Sequence, residues 1–361
     1  MTIEILPLAP ADHHPKPTDE QALGFGRHFS DRMFVMEYAG GKWNNPRIQK
    51  FGAISLQPSA MCLHYAQEIF EGLKAYWSAD GRVTMFRPEM NIARMNRSAA
   101  ALQMPAIDSD LFLRGMKQLV ELERDWIPKT EGCALYVRPT MIATDPFLGV
   151  RPSENYLFFI IVGPVGAYYP KGFVPVSIMV SETYVRAVRG GIGACKAAAN
   201  YAASLAGQME AKKKGFDQVL WLDGVHRKYC EEVGTMNMMF VLDGAVVTAP
   251  LEGGTILPGV TRDSVLRLLR DVYKTKVEER PLPIDEVIEG AKTGRLQEAF
   301  GCGTAAIITA VNEIGYQGAR HKVGGGGIGP ITQKLYDDLV GIQYGRKPDR
   351  FEWVTKIWPN G

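Results

Sequence analysis

Residues 190–204 read GGIGACKAAANYAAS, and Lys196 stands among neighbours that are nearly all small and uncharged. An ammonium buried in such surroundings without a partner is costly, and the cost is usually relieved by a lowered pKa. A lysine of this kind is a ready amine: once neutral it attacks aldehydes, and small neighbours leave room for a flat ring against the backbone. A surface lysine on an alanine-rich helix fits the same letters equally well. A phosphate-binding P-loop does not, because Cys195 precedes Lys196 where that motif needs Gly, and Ala197 follows where it needs Ser or Thr.

On either side of this stretch, extended and helical patterns alternate. Residues 33–38 and 83–86 read as strands, whereas Ile92, Met95, Ala99 and Leu102, then Phe112, Met116 and Leu119, recur at helical spacing. Residues 156–162 are apolar throughout and read as a buried strand closing a first unit. GPVGAYYPKGFVP, residues 163–175, can neither continue a helix nor pair fully in a sheet, and is the expected interdomain connection. A second unit restarts with a strand at 176–180, a helix over about 200–214 stopped by Gly215, and a strand at 218–222. A hairpin follows, in which residues 238–242 and 245–248 flank the turn Asp243-Gly244. A helix begins near Thr261, and residues 305–311 read as another buried strand. The expectation is a mixed α/β chain of two domains: a smaller one at 1–165, a connecting loop at 166–178, and a larger one at 179–361 that carries Lys196.

The chain's 361 residues are 46% hydrophobic, enough for about two domains with buried cores. Its 41 Lys and Arg nearly balance 39 Asp and Glu, and a net charge of +2 is too small to steer it onto nucleic acid or an anionic membrane. Small-molecule chemistry is the class that remains. Cys62, Cys133, Cys195, Cys230 and Cys302 are odd in number and lack CxxC or CxxH spacing, so reduced thiols are expected, with neither a disulfide frame nor a metal site. The first thirty or so residues carry Glu4, Asp12, Asp19 and Glu20 instead of an apolar segment with basic flanks, and no run is long enough for a membrane span. A cytoplasmic protein is expected.

Several places are prepared for an anion. Leu257-Pro258-Gly259-Val260-Thr261 runs into a helix, so the N–H groups of its first turn and the Thr261 hydroxyl point at one spot. Gly301-Cys302-Gly303-Thr304-Ala305 offers further N–H groups and a second hydroxyl, and reads equally as a tight turn. With Ala306 it also fits G-x-G-x-x-A, yet the β-branched residues that follow suit a strand, whereas a dinucleotide fingerprint needs a helix there. Arg87 and Arg186 could complete an anion site or be ordinary structural arginines. Glu231 and Glu232 stand beside an apolar strand. If one of them points inward it needs a cation, which a protonated pyridine ring would supply; a surface pair is the other reading.

HYAQEIFEGLKAY (64–76), FRP (86–88), LYVRP (135–139), GACKAAANY (193–201), EEVGTMN (231–237), LPGVTR (257–262) and FGCGTAA (300–306) resemble, in order and spacing, the branched-chain amino-acid aminotransferases, which are fold-type IV pyridoxal-phosphate enzymes. The resemblance runs from about Phe25 to the C-terminus. It implies that Lys196 holds pyridoxal 5'-phosphate as a Schiff base and shuttles the proton between substrate and cofactor carbons. It further implies that Glu232 keeps the pyridine nitrogen protonated and that Tyr201 bonds the phenolic oxygen. Arg87, Val260, Thr261 and Thr304 would hold the phosphate, with Arg186 near it; Thr235 would touch the cofactor and, with Tyr201, the substrate. Phe25, Phe70, Tyr136, Tyr168 and Ala305 would surround the substrate, and Tyr65, Leu148 and Val150 would come from the partner of a homodimer. Arg138, held near Tyr65 and Tyr136, would meet the distal carboxylate of 2-oxoglutarate.

The implied reaction moves the amino group of L-leucine, L-isoleucine or L-valine to 2-oxoglutarate, giving branched-chain 2-oxo acids and L-glutamate. D-amino-acid aminotransferases and aminodeoxychorismate lyases of the same fold would share Lys196 and Glu232, but LYVRP and HYAQEIFEG favour the branched-chain enzyme. Where some relatives carry a thiol pair after FGxGT, this chain has Ala306 and Thr309, so no redox switch of that kind is expected.

Overall fold

In the computed structural model, which describes residues 1–166 and 173–359, the apolar run at 156 becomes the strand Tyr156–Val165 in the middle of a sheet. It extends past the expected break. Gly163 and Pro164 pair with Tyr136 and Leu135, because the fixed φ of proline suits an extended chain and only its missing donor is lost. Gly163 is required there: a Cβ would lie 2.0 Å from the His28 carbonyl oxygen. The sheet runs, in order, Glu4–Ile5, Lys42–Lys50, Arg32–Ala39, Tyr156–Val165, Ala134–Ala143, Leu73–Trp77, Val83–Phe86 and Val354–Trp358, with Glu68–Phe70 also paired to Ala134–Ala143. The helices Pro88–Ala101 and Ser109–Leu122 follow the expected apolar spacing, the second capped by Asp108, whose carboxylate accepts from the Leu111 N–H at 2.8 Å.

One compact unit comprises Met1–Pro170, Cys195–Ala198 and Gly341–Gly361; the other comprises Lys171–Ala194 and Ala199–Val340. Two segments expected in the C-terminal domain are thus counted with the first unit. The strand Val354–Trp358 pairs antiparallel with Val83–Phe86, and Ala197 bridges to Ile69. Tyr168 and much of the expected connecting loop lie outside the described residues.

In the second unit, Cys230–Val233 pairs with both Gln218–Leu222 and Met236–Leu242. With Val176–Val180, Ile307–Tyr316 and Leu296–Gly303 these strands form a closed hydrogen-bonded ring. The hairpin turn Asp243-Gly244 has φ of 50° and 78°, the doubly left-handed geometry that matches strand twist. The strand expected at 305 begins instead at Ile307, because residues 304–306 make the turn that reverses the chain from Leu296–Gly303. The helix expected near Thr261 is Val260–Arg267.

The Leu73–Trp77 strand of the first unit carries an inward lysine. Burial pushes the Lys74 ammonium down to about 8, with Cys133 opposing the shift. Since the folded value lies below the unfolded value of about 10.4, the unfolded chain binds more protons between these limits. Stability therefore rises with pH through that window, and the penalty is full below it. Relative to Lys74→Met, the parent is expected to gain about 2 kcal/mol of stability between about pH 7.5 and 9.5, read by urea unfolding. A pH-independent difference would show that the amine does not titrate there.

Candidate active site

Lys196 precedes the helix Ala198–Lys213 rather than riding on it, which removes the surface-helix reading. Its backbone is held on both sides: the amide donates to Ser98 Oγ at 2.9 Å, and the carbonyl accepts from the Phe70 N–H at 3.0 Å. The amine Nζ lies 4.7 Å from the centroid of the Phe70 ring, whose π-face favours a cation. Phe70 also faces Arg138, with the guanidinium 4.7 Å from the same centroid.

Tyr136 and Arg138 are two apart on the strand Ala134–Ala143 and so share a face. Arg138 donates to Tyr136 Oη at 3.2 Å, and Phe25 meets the Tyr136 ring edge-on at 4.8 Å. Phe25, Phe70, Tyr136, Arg138 and Lys196 thus form one cationic and aromatic cluster within the first unit. From the end of the short helix Met61–Tyr65, Tyr65 turns its hydroxyl to the Leu148 carbonyl within the same chain. Leu148 and Val150 are exposed, Val150 by 86%.

Arg87 adopts a left-handed conformation, φ 52°, at the start of the helix Pro88–Ala101. Such a conformation is uncommon outside glycine and marks a place where the surroundings impose it. Trp353 does so here: its carbonyl accepts the Arg87 N–H at 2.8 Å and its ring lies 5.0 Å from the guanidinium carbon. Nothing local in the sequence signals Trp353, because the contact is made by a residue just before the distant strand Val354–Trp358.

In the second unit both glutamates are buried, Glu231 to 8% exposure and Glu232 to 2%, where one was expected inward. Glu232 accepts from Arg186 Nε at 2.6 Å, Asn237 Nδ2 at 3.0 Å and the Leu257 N–H at 2.9 Å. Arg186, expected beside a phosphate, is committed to this carboxylate and to two carbonyls, Thr255 at 2.7 Å and Gly193 at 3.0 Å. A buried carboxylate demands a cation, and this one takes it. Burial raises the Glu231 carboxyl; the Thr255 hydroxyl opposes this, and the charge of Glu232 adds to it. Asn237 was missed as a supporting residue, although its place across the two-residue turn Gly234-Thr235 puts it opposite Glu232 in register.

Val260 and Thr261 open the helix Val260–Arg267, both buried, with Gly259 at the cap and no side chain capping the turn. Gly259 is needed for close packing, since a Cβ would lie 2.1 Å from Asn237 Oδ1. Arg262 turns away to the Ala249 carbonyl and to Glu279. Thr304 and Ala305 are half-buried in the turn before Ile307, Tyr201 is half-buried in the first turn of Ala198–Lys213, and Thr235 is exposed. An uncapped helix start suits a phosphate, a carboxylate ionised against Arg186 suits a protonated ring nitrogen, and an amine held by its backbone suits an aldehyde. Each of these features by itself fits one part of a phosphorylated pyridine aldehyde.

Gly72 controls the aromatic cluster, because a Cβ on it would lie 1.9 Å from Tyr136 Oη. Gly72→Ala is expected to cost about 1–3 kcal/mol in urea unfolding by overpacking. In a Tyr136→Ala background that cost should largely vanish, and additive losses in the double-mutant cycle would show that the clash is relieved elsewhere.

Comparison with known proteins gives the same picture. Residues 68–314 match the model of amino-transferase class IV. Branched-chain-amino-acid aminotransferase 2 of Bacillus subtilis (strain 168) is 51% identical over 344 residues, which is 95% of this chain and 94% of that protein. The solved branched-chain amino acid aminotransferase of Escherichia coli superposes with a TM-score of 0.75 at 26% identity, over 91% of this chain and 99% of that one. The branched-chain amino acid aminotransferase of Thermobaculum terrenum, solved in its PLP form, gives a TM-score of 0.71 at 25% identity, over 90% and 98% of the two chains.

Proposed function

Because the chain belongs to the class IV aminotransferases, we propose that it is a pyridoxal-phosphate-dependent branched-chain amino-acid aminotransferase, exchanging the amino group between L-leucine, L-isoleucine or L-valine and 2-oxoglutarate. The observation that carries this is Lys196, its backbone held by Ser98 and Phe70 and its amine set against an aromatic face. Pyridoxal phosphate, when bound, supplies an aldehyde that condenses with amines and a ring that takes up the electron pair left at the substrate α-carbon. The 51% identity to the Bacillus subtilis protein favours this reading over a D-amino-acid aminotransferase or an aminodeoxychorismate lyase.

Lys196 holds the cofactor and then, through Nζ, moves the α-proton. Glu232 holds the proton of the ring nitrogen, and stays ionised because Arg186, Asn237 and the Leu257 N–H all donate to it. The first turn of Val260–Arg267, with Arg87 and Thr304, binds the phosphate, and Tyr201 the phenolic oxygen. Phe25, Phe70 and Tyr136 give aliphatic side chains an apolar wall. Arg138 gives the distal carboxylate of 2-oxoglutarate a cation, and its buried Nε has no hydrogen-bond partner among the described residues. One pocket thereby serves an apolar and an acidic substrate.

The exposed Leu63, Phe147, Leu148 and Val150 support a homodimer in which Tyr65, Leu148 and Val150 reach the partner's site. None of the five cysteines is in a disulfide, which suits a reducing cytoplasm, and no helix of the described residues is long and apolar enough to cross a membrane.

Lys196→Ala protein should purify colourless, and borohydride should trap cofactor mass on the Lys196 peptide of the parent only; a yellow, active Lys196→Ala enzyme would overturn the assignment. Arg138→Ala should raise the KM for 2-oxoglutarate by about 10- to 100-fold, the loss of a charged hydrogen bond, while leucine is still bound. Equal losses for both substrates would remove Arg138 from that role.

A further inference from the structure

The inward face of the helix Pro88–Ala101 carries a row of polar groups, of which Ser98 has so far appeared only as the acceptor of the Lys196 amide. Asn91, Arg94 and Ser98 are 2%, 4% and 1% exposed, and their spacing places them on one side of the helix. Polar groups in such a place are tolerated only when each is satisfied. Asn91 Nδ2 donates to Glu71 Oε2 at 2.8 Å, and Arg94 binds both oxygens of the same carboxylate, Nε to Oε1 at 2.7 Å and a terminal nitrogen to Oε2 at 2.8 Å. Burial pushes the Glu71 carboxyl up, but the Arg94 charge and hydrogen bonds, then the Lys196 charge, bring it below the ordinary carboxylate range. Glu71 therefore stays ionised.

Glu71 directly follows Phe70, whose N–H holds the Lys196 carbonyl, and Arg94 sits one helical turn before Ser98, whose hydroxyl holds the Lys196 amide. The two elements that grip Lys196 are fastened to each other by the Glu71–Arg94 pair. We propose that Ser98 is a positioning residue for Lys196, its hydroxyl fixing the backbone from which the amine is presented, with Glu71 and Arg94 holding Ser98 in place. This rests on the reading of Lys196 as the cofactor lysine. A lysine side chain has four rotatable bonds, so a fixed backbone is what limits where Nζ can reach, and a displacement of about 1 Å can cost up to about a hundredfold in rate.

The test uses the holoenzyme and the Ser98→Ala and Ser98→Thr variants. Ser98→Ala should load cofactor and be trapped by borohydride as the parent is. Its single-turnover rate with L-leucine should fall about 10- to 100-fold at unchanged leucine affinity. Hydrogen exchange of the peptide spanning residues 190–201 should speed up, in the presence and absence of cofactor. Ser98→Thr, which keeps the hydroxyl, should recover most of both properties. Should Ser98→Thr not fold, Glu71→Gln serves instead and should reproduce the faster exchange and the slower turnover. A Ser98→Ala enzyme with parental turnover and exchange overturns the proposal, as does a folded Ser98→Thr enzyme as slow as Ser98→Ala. Failure of the underlying reading is distinguishable, because borohydride would then leave Lys196 of the parent unlabelled.

Discussion

The contact between Arg186 and Glu232, 2.6 Å long with both side chains under a tenth exposed, sets the terms for the chemistry of the second unit. A carboxylate removed from water would otherwise take up a proton, and a neutral acid cannot hold a pyridinium. Arg186 prevents this without neutralising Glu232 by proton transfer, since a guanidinium keeps its charge at any physiological pH. The geometry is over-determined: the Thr255 and Gly193 carbonyls occupy the other ends of the guanidinium, and Asn237 and the Leu257 N–H both donate to the carboxylate oxygen that Arg186 does not hold. Removing one partner of such a buried pair typically costs about 3–5 kcal/mol, because the other charge is stranded.

The first unit solves a related problem differently. Lys196 and Arg138 are set against the faces of Phe70 and Tyr136, with the charges of Glu71 and Glu68 also acting on them. Under the proposed function the same rings would be apolar walls for an aliphatic chain, so a few residues would serve two kinds of substrate.

Much of this arrangement was legible in the sequence wherever local geometry decides it. Asp243-Gly244 announces its hairpin because few residues accept two successive left-handed conformations, and the apolar spacing of Ile92, Met95 and Ala99 marks a helix that packs on one side. Contacts between distant segments were not legible. The role of Arg186 could not be read because its partner is fixed by tertiary packing, and Val354–Trp358 joins the first sheet although it is the last strand in the chain. Ser98 lay hidden in an alanine-rich helix whose polar row, Asn91, Arg94 and Ser98, carries meaning only once Glu71 is seen to face it. The break expected at Gly163 fell three residues early because a proline at the end of a strand loses one donor and nothing else.

Trp353 closes over Arg87, and the strand immediately after it zips onto the strand that ends just before that arginine. On the ribosome, Arg87 emerges long before the indole that supports it. The nascent chain can therefore carry Arg87 and the helix that follows it while the indole is still to come, so the left-handed turn at residue 87 is fixed only after residue 353 has been made.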